Sequence, residues 1–264
     1  MDEMLYPQLP EELEATRADG VLTLTLNRPA KLNTMTPEMG KALMSLVPAI
    51  NADDEVRAVI LQGKGERAFS AGSDVSVLDS YGNNWELRNR VDYARAIWAI
   101  RKPVIAKIRG YCIGGGLEMA LMSDIRVAAP GARFGAGEIK LGWHGGAGNT
   151  QLLPRVVSSG KALQMLLTGD LMAAEDARAD GLVDELRDEE EIDAYVSELA
   201  ARIAANAPIA AQLAKHLVRV AQSTSLEVGL AYENDTFAYC FTTQDSAEGR
   251  AAFLEKRDPE FQGR

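Results

Sequence analysis

The chain predicts an α/β fold: a mostly parallel sheet with crossover helices, followed by a helical tail. Three observations carry this. Strand-like and helix-like patterns alternate as far as Gly160, which is how strands joined by crossover helices read in sequence. The segment Val56-Arg57-Ala58-Val59-Ile60-Leu61 is apolar almost throughout, as befits a strand covered on both faces. From about Gly160 onward strand signals thin out and apolar stripes at helical spacing take over.

In chain order, Leu22, Leu24 and Leu26 alternate with Thr23 and Thr25, a period of two that marks a half-buried strand ending at Asn27-Arg28-Pro29. Thr36-Pro37-Glu38 then supplies a hydroxyl cap, a proline for the first helical position and an early acid. Met39, Leu43, Val47 and Ile50 follow at helical spacing. After the Val56–Leu61 strand comes a long glycine-punctuated loop, Gly63 to Gly72. Leu87, Val91, Ala94 and Ile97 trace one helix, and Pro103-Val104-Ile105-Ala106 starts a strand that runs into a glycine cluster. A buried helix begins at that cluster, and Ile125-Arg126-Val127-Ala128 is one more strand. In the tail, Ile192, Val196, Leu199 and Ile203 form one stripe, Ile209, Leu213 and Val220 a second, and Leu226, Leu230, Phe237 and Phe241 a third. Asp188-Glu189-Glu190-Glu191 reads as a solvated helix start, with negative charge matched to the dipole. No internal repeat or low-complexity segment is visible.

A length of 264 residues and a hydrophobic content of 47% suit one large domain, or one domain with an appendage, and exclude wholesale disorder. The net charge of −10 argues against a broad nucleic-acid or anionic-membrane surface, which needs a basic face. A small polyanionic ligand still requires a local basic pocket. Cys112 and Cys240 stand far apart with no metal-type spacing, so neither a disulfide framework nor a zinc site is expected, only two buried thiols. The start, Met1-Asp2-Glu3-Met4, is acidic where a secretory leader is basic, and no apolar run is long enough to span a bilayer. A reducing, cytoplasmic setting is the expectation.

The most informative segment is Gly114-Gly115-Gly116-Leu117-Glu118, followed twenty positions later by Glu138. Three glycines remove every Cβ from a stretch of backbone, so a ligand can approach the peptide N–H groups. A helix starting there leaves its first N–H groups unpaired and carries partial positive charge. Glu118 falls in the first turn, where the dipole favours its ionised form, the form of a base. Two readings stand at this point: an oxyanion site beside an acid/base pair of carboxylates, or glycines that only allow tight packing beside a solvated glutamate. The Ser70–Asp74 loop offers a second backbone donor.

Competing chemistries find less support. Gly63-Lys64-Gly65-Glu66-Arg67-Ala68 matches a dinucleotide-binding pattern, but that pattern needs a helix directly after it, and Phe69–Asp74 does not read as one. Serine hydrolysis needs a nucleophile elbow, which is absent, and the only histidines are His144 and His216. His144 reads as a hydrogen-bonding structural residue and His216 as a surface or interface one. Glu118, Asp124 and Glu138 are too scattered for a metal site.

On these residues the chain is identified as a member of the enoyl-CoA hydratase/isomerase (crotonase) family. The resemblance covers nearly the whole chain. It runs through Asn27–Asn33, Ala68–Val75, Lys102–Ala106, Gly110–Glu118, Phe134–Gly142, Leu167-Thr168-Gly169 and Ala252–Arg257, and the order and spacing of these pieces are highly specific. It implies a crotonase-like spiral of ββα units over residues 1–195 holding an acyl-CoA site, and a helical oligomerisation region over 196–264 assembling a trimer or a dimer of trimers. It implies an enoyl-CoA hydratase of fatty-acid metabolism whose substrate contains coenzyme A, with no separate cofactor; the acidic balance, the residue spacing and the lack of a long apolar run argue against a nucleic-acid, metal or membrane partner.

The family's oxyanion-hole N–H groups map onto Ser73 and Gly115, and its catalytic glutamates onto Glu118, taking a proton from water, and Glu138, giving one to the α-carbon. The latter role requires surroundings that raise the Glu138 pKa, with Trp143 as a wall. The substrate and CoA contacts implied are Arg28, Lys31, Leu32, Ala71, Asp74, Val75, Gly114, Trp143, Phe253 and Lys256, with Lys64 and Arg67 flanking the thioester loop. Two departures stand out. Trp143-His144-Gly145 replaces an aliphatic-proline segment, and Asn149 stands where glycine is usual, which leaves the acyl group open. Isomerisation, decarboxylation or C–C cleavage on the same hole, or acyl-CoA binding without catalysis, are the alternatives.

Overall fold

A computed structural model of the chain describes Tyr6 and residues 8–264; the acidic start lies outside the described residues. In chain order the elements are β1 (Leu13–Ala18), β2 (Val21–Leu26), α1 (Pro37–Ala52), β3 (Ala58–Gly63), β4 (Ala68–Ser70), α2 (Asn84–Arg88), α3 (Tyr93–Ala99), β5 (Val104–Ile108), β6 (Tyr111–Ile113) and α4 (Gly115–Met122). There follow β7 (Ile125–Ala128), β8 (Arg133–Gly135), α5 (Asn149–Val156), α6 (Ser159–Thr168), β9 (Met172–Ala173), α7 (Ala174–Ala179), β10 (Glu185–Leu186), α8 (Ile192–Ala204), α9 (Pro208–Ala221), α10 (Leu226–Phe241) and α11 (Gln244–Glu255).

The strands form two sheets. One has six strands in the order β1-β2-β3-β5-β7-β10, the other four in the order β4-β6-β8-β9. Three successive units each send a first strand (β3, β5, β7) to the larger sheet and a second (β4, β6, β8) to the smaller, then a helical segment. This is the ββα spiral the resemblance implied. Every pairing between units is parallel; β1 with β2 and β8 with β9 are the antiparallel exceptions.

The near-continuous apolar strands have the predicted cause. Val59 and Leu61 of β3 face the main core with Val104 and Ala106 of β5. Ala58, Ile60 and Ile105 face the other way, onto Ile192, Val196, Ala200 and Ala204 of α8. The boundary expected between residues 195 and 196 thus falls inside α8, a helix that packs on the sheet. The Thr36 hydroxyl caps α1 by accepting from the Met39 N–H at 3.2 Å, as its sequence predicts.

The structure corrects several local expectations. The single helix expected through Leu87 and Ile97 is two, because Asp92 caps a new start, its carboxylate accepting from the Ala94 and Arg95 N–H groups. The Gly63–Gly72 loop contains β4, so the dinucleotide-like glycines lead into a strand and not a helix. The strand starting at Pro103 does not run straight into the glycines, since β6 intervenes. Glu189 is not simply solvated; it forms an ion pair with Arg109, while Asp193 pairs with Lys107 and Arg109. Cys112 is buried but Cys240 only half-buried.

Candidate active site

The smaller sheet places the site. Its parallel strands β4, β6 and β8 lie side by side, and the residues just past their C-terminal ends are Ser73, Gly115 and Glu138. Crevices at the carboxyl ends of parallel strands are where ligands bind in α/β folds. Here the crevice is a cavity of about 740 Å³ lined by Ser73, Gly115, Glu118, Glu138, Trp143 and His144, among others.

Close approach of the two donor loops depends on glycine. Gly72 has φ +86°, and a Cβ there would stand 2.6 Å from the Gly115 nitrogen. A Cβ on Gly116 would meet the Ser70 carbonyl oxygen at 2.0 Å. The first loop is further fastened from below. Buried Asn33 donates through Nδ2 to the Ala68 and Lys64 carbonyls, and the Ser70 hydroxyl donates to the Asn33 carbonyl while accepting from the Gly72 N–H. Among the described residues neither the Ser73 N–H nor the Gly115 N–H has a hydrogen-bond acceptor. The Tyr93 and Ser73 hydroxyls pair at 2.9 Å, and the same Tyr93 oxygen packs directly on Gly115. Tyr93 lies off the apolar stripe of α3, so no local pattern in the sequence marks it.

Glu118 is 4% exposed in α4, a helix buried along its whole length. Its Oε1 accepts from the Ala147 N–H at 2.7 Å and the Asn149 N–H at 3.3 Å. Burial nonetheless pushes its pKa up to about 7, against those two donors and with the Glu138 charge adding in the same direction. This corrects the expectation that the helix dipole decides: desolvation outweighs it. Glu138 is half-buried and its pKa is also raised by burial, the direction expected, although Asn149 and His144 oppose it. Its Oε1 accepts from Asn149 Nδ2 at 3.1 Å; its Oε2 is buried without a partner among the described residues. His144 Nδ1 lies 2.8 Å from the Gly145 carbonyl.

Of the other expected contacts, Ala71, Val75, Gly114 and Trp143 line the cavity. Arg28 and Asp74 are bound to each other at 3.1 Å, and Arg28 also donates to Thr34, so this pair fastens the loop bearing Ser73. Leu32 takes a left-handed φ of 51° in the turn below. Lys64 pairs with Glu14, whereas Lys31 and Arg67 are exposed and unpaired among the described residues. Phe253, 83% exposed, and Lys256 sit at the end of α11, away from the cavity lining.

Comparison with known proteins agrees with this architecture. The enoyl-CoA hydratase/isomerase family model matches residues 16–264. The chain is 37% identical to the short-chain-enoyl-CoA hydratase of Clostridium acetobutylicum over 90% of its own length and 92% of the relative's. It is 37% identical to the 2,3-dehydroadipyl-CoA hydratase of Escherichia coli over 96% of its length and 99% of that protein's. The crystal structure of an enoyl-CoA hydratase from Bacillus anthracis superposes with a TM-score of 0.91 at 34% identity, covering 96% of this chain and 100% of the other. The chain belongs to the enoyl-CoA hydratase/isomerase family.

Proposed function

We propose that the protein is an enoyl-CoA hydratase that adds water across the α,β double bond of an enoyl-CoA thioester. The observation that carries this is the pair of glutamates with raised pKa values on one cavity, beside two N–H groups without acceptors. The thioester oxygen sits between the Ser73 and Gly115 N–H groups. Glu118, whose pKa of about 7 lets it ionise near neutrality, takes a proton from water as the water oxygen bonds to the β-carbon. The displaced electron pair moves to the thioester oxygen as an enolate, which the two N–H groups stabilise, each by about 3 kcal/mol. As the enolate collapses, the α-carbon takes a proton from Glu138. One water is added, and returning a proton from Glu118 to Glu138 restores the site.

Leu78, Leu87, Val91 and Trp143 give the cavity an apolar wall for the acyl chain. Arg28 is engaged by Asp74, so the CoA phosphates fall to Lys31 and Arg67, with an affinity that declines as ionic strength rises. Assembly into a trimer or a dimer of trimers is supported by the large apolar side chains exposed on the helical region: Leu226 78%, Phe237 63%, Phe253 83% and Leu254 80%. Among the described residues no helix is long and apolar enough to cross a membrane. Cys112 and Cys240 are free thiols.

The test is hydration of crotonyl-CoA, followed as loss of the enoyl absorbance with identification of the product. Glu138→Gln is expected to lower turnover about 10²- to 10⁴-fold with little change in KM. Undiminished turnover in that variant would remove Glu138 from the mechanism, and an isomerised, decarboxylated or cleaved product would replace hydration with one of those reactions.

A further inference from the structure

One buried residue bonds to both glutamates and to the glycine cluster without lining the cavity. Asn149 opens α5. Its backbone N–H donates to Glu118 Oε1 at 3.3 Å, and its carboxamide nitrogen donates to Glu138 Oε1 at 3.1 Å and to the Gly114 carbonyl at 3.3 Å. The amide orientation is set by this last contact: a carbonyl oxygen only accepts, so the NH₂ side must face it. Both amide hydrogens are thereby used, one per acceptor.

The Gly114 carbonyl and the Gly115 N–H belong to the same peptide unit. No peptide in the described chain is cis, so in this planar trans unit the two groups point in opposite directions. That carbonyl also accepts the first helix bond of α4, from the Glu118 N–H at 3.0 Å; the Asn149 donor is the second on it, adds to the hold on where the Gly115 N–H aims, and polarises the unit further in the sense that strengthens its donation. On the other side, the tether on Oε1 leaves Glu138 Oε2 as the oxygen without a partner. The Asn149 residue is also wholly buried, with its own Oδ1 unpartnered among the described residues. An orphaned buried acceptor is unfavourable, so packing alone does not account for an amide here.

We propose that the Asn149 carboxamide is a positioning residue that ties the oxyanion-donating Gly114–Gly115 peptide to Glu138, so that the thioester N–H donor and the α-carbon proton donor are set as one unit. This rests on the hydratase reading above. The titratable groups that line the same cavity are Glu118 from α4, His144 from the loop after Glu138, and Arg90, Asp92 and Tyr93 from the start of α3 and the turn before it; of these His144 bears on the Glu138 charge and Asp92 on that of Glu118. Among the described residues only the Asn149 side chain donates to the Glu138 carboxylate.

The experiment compares wild type, Asn149→Gly and the isosteric Asn149→Asp. All three retain the backbone N–H that serves Glu118. The kcat, KM and pH profile are measured with crotonyl-CoA, and the Glu138 carboxyl is titrated by ¹³C NMR, assigned through Glu138→Gln. Loss of the amide donor removes an interaction that favours ionised Glu138. For Asn149→Gly the expectation is a kcat about tenfold lower, KM within about twofold, and the Glu138 titration and the alkaline limb of kcat both higher by about one pH unit. For Asn149→Asp, both effects should be larger, because a carboxylate now faces Glu138.

An unmoved Glu138 titration in Asn149→Gly, or activity restored by Asn149→Asp through volume alone, would overturn the proposal. If wild type hydrated no enoyl thioester while the NMR shift appeared as expected, the hydratase reading would fall and the tether would stand.

Discussion

Replacing Glu118 by Gln should make the protein more stable at the pH where it works and inactive there. The Glu118 carboxyl carries a pKa of about 7 in the fold against an ordinary 4.5, principally because it is removed from water. At 4% exposure solvent screens little of that penalty. Since the folded-state pKa is the higher one, the fold favours the protonated acid. This contribution to stability is fully present below about pH 4.5, where both states are protonated, and is lost as pH rises through about 7, where both are ionised. The difference corresponds to about 3 kcal/mol, a large part of the roughly 5–15 kcal/mol that holds a typical domain together. Glutamine keeps an oxygen to accept from the Ala147 and Asn149 N–H groups and never ionises.

Urea unfolding of both proteins from pH 4 to pH 8.5, at one fixed protein concentration, reads this directly. The expected stability difference is near zero at pH 4, grows between pH 4.5 and 7, and levels off at about 3 kcal/mol in favour of Glu118→Gln. In wild type, the acidic limb of kcat/KM should fall near pH 7, since the base must be ionised. A difference that stays constant across the range, or a variant less stable than wild type at pH 8, would refute desolvation as the source of the raised pKa.

Two further outcomes are expected. Gly72→Ala forces a Cβ to within 2.6 Å of the Gly115 nitrogen at a φ of +86°; it should destabilise the fold by about 1–3 kcal/mol and abolish hydration, as read by unfolding and by rate. Phe237→Asp places a charge on the exposed apolar face of α10, and light scattering should show assemblies smaller than those of wild type; an unchanged mass would move the subunit interface elsewhere.

What the sequence made legible follows the length over which each physical signal acts. β2 alternates for six residues and α1 carries a cap and a four-turn stripe, so both are readable. The strands that assemble the site, β4, β6 and β8, are three residues long each, too short for a period of two to show against chance. For the same reason the repeated units left no visible internal repeat: what recurs is the path of the backbone between two sheets. The candidate site was readable where backbone chemistry dictates residue type, at Gly114–Gly116, and where resemblance supplied a role, at Ser73, Glu118 and Glu138. Residues that act through a neighbour were not. Asn33, Ser70 and Tyr93 give no local pattern, and Asn149 registered only as a departure from the usual glycine. Glu118 shows the opposite limit, because its first-turn position predicts an ionised carboxylate while its burial, a property of the tertiary fold, reverses the preference.

Burial of that carboxylate ties stability and chemistry to one cause. A glutamate at the surface near the start of α4 would be ionised at neutral pH with a weak hold on any proton. Moved into a buried helix, it gains a proton affinity that matches the medium, which suits the general base proposed above, since efficient general bases have pKa values near the working pH. The loops around it leave little room to relax: the Gly72, Gly115 and Gly116 positions exclude even a methyl group, and Asn33 and Ser70 fix the Ser73 segment from beneath. A site free to rearrange would admit water to the carboxylates and return their pKa values toward the ordinary range. The tight glycine contacts and the raised pKa values are therefore linked, and loosening either loop should lower the Glu118 pKa as well as misplace the N–H donors.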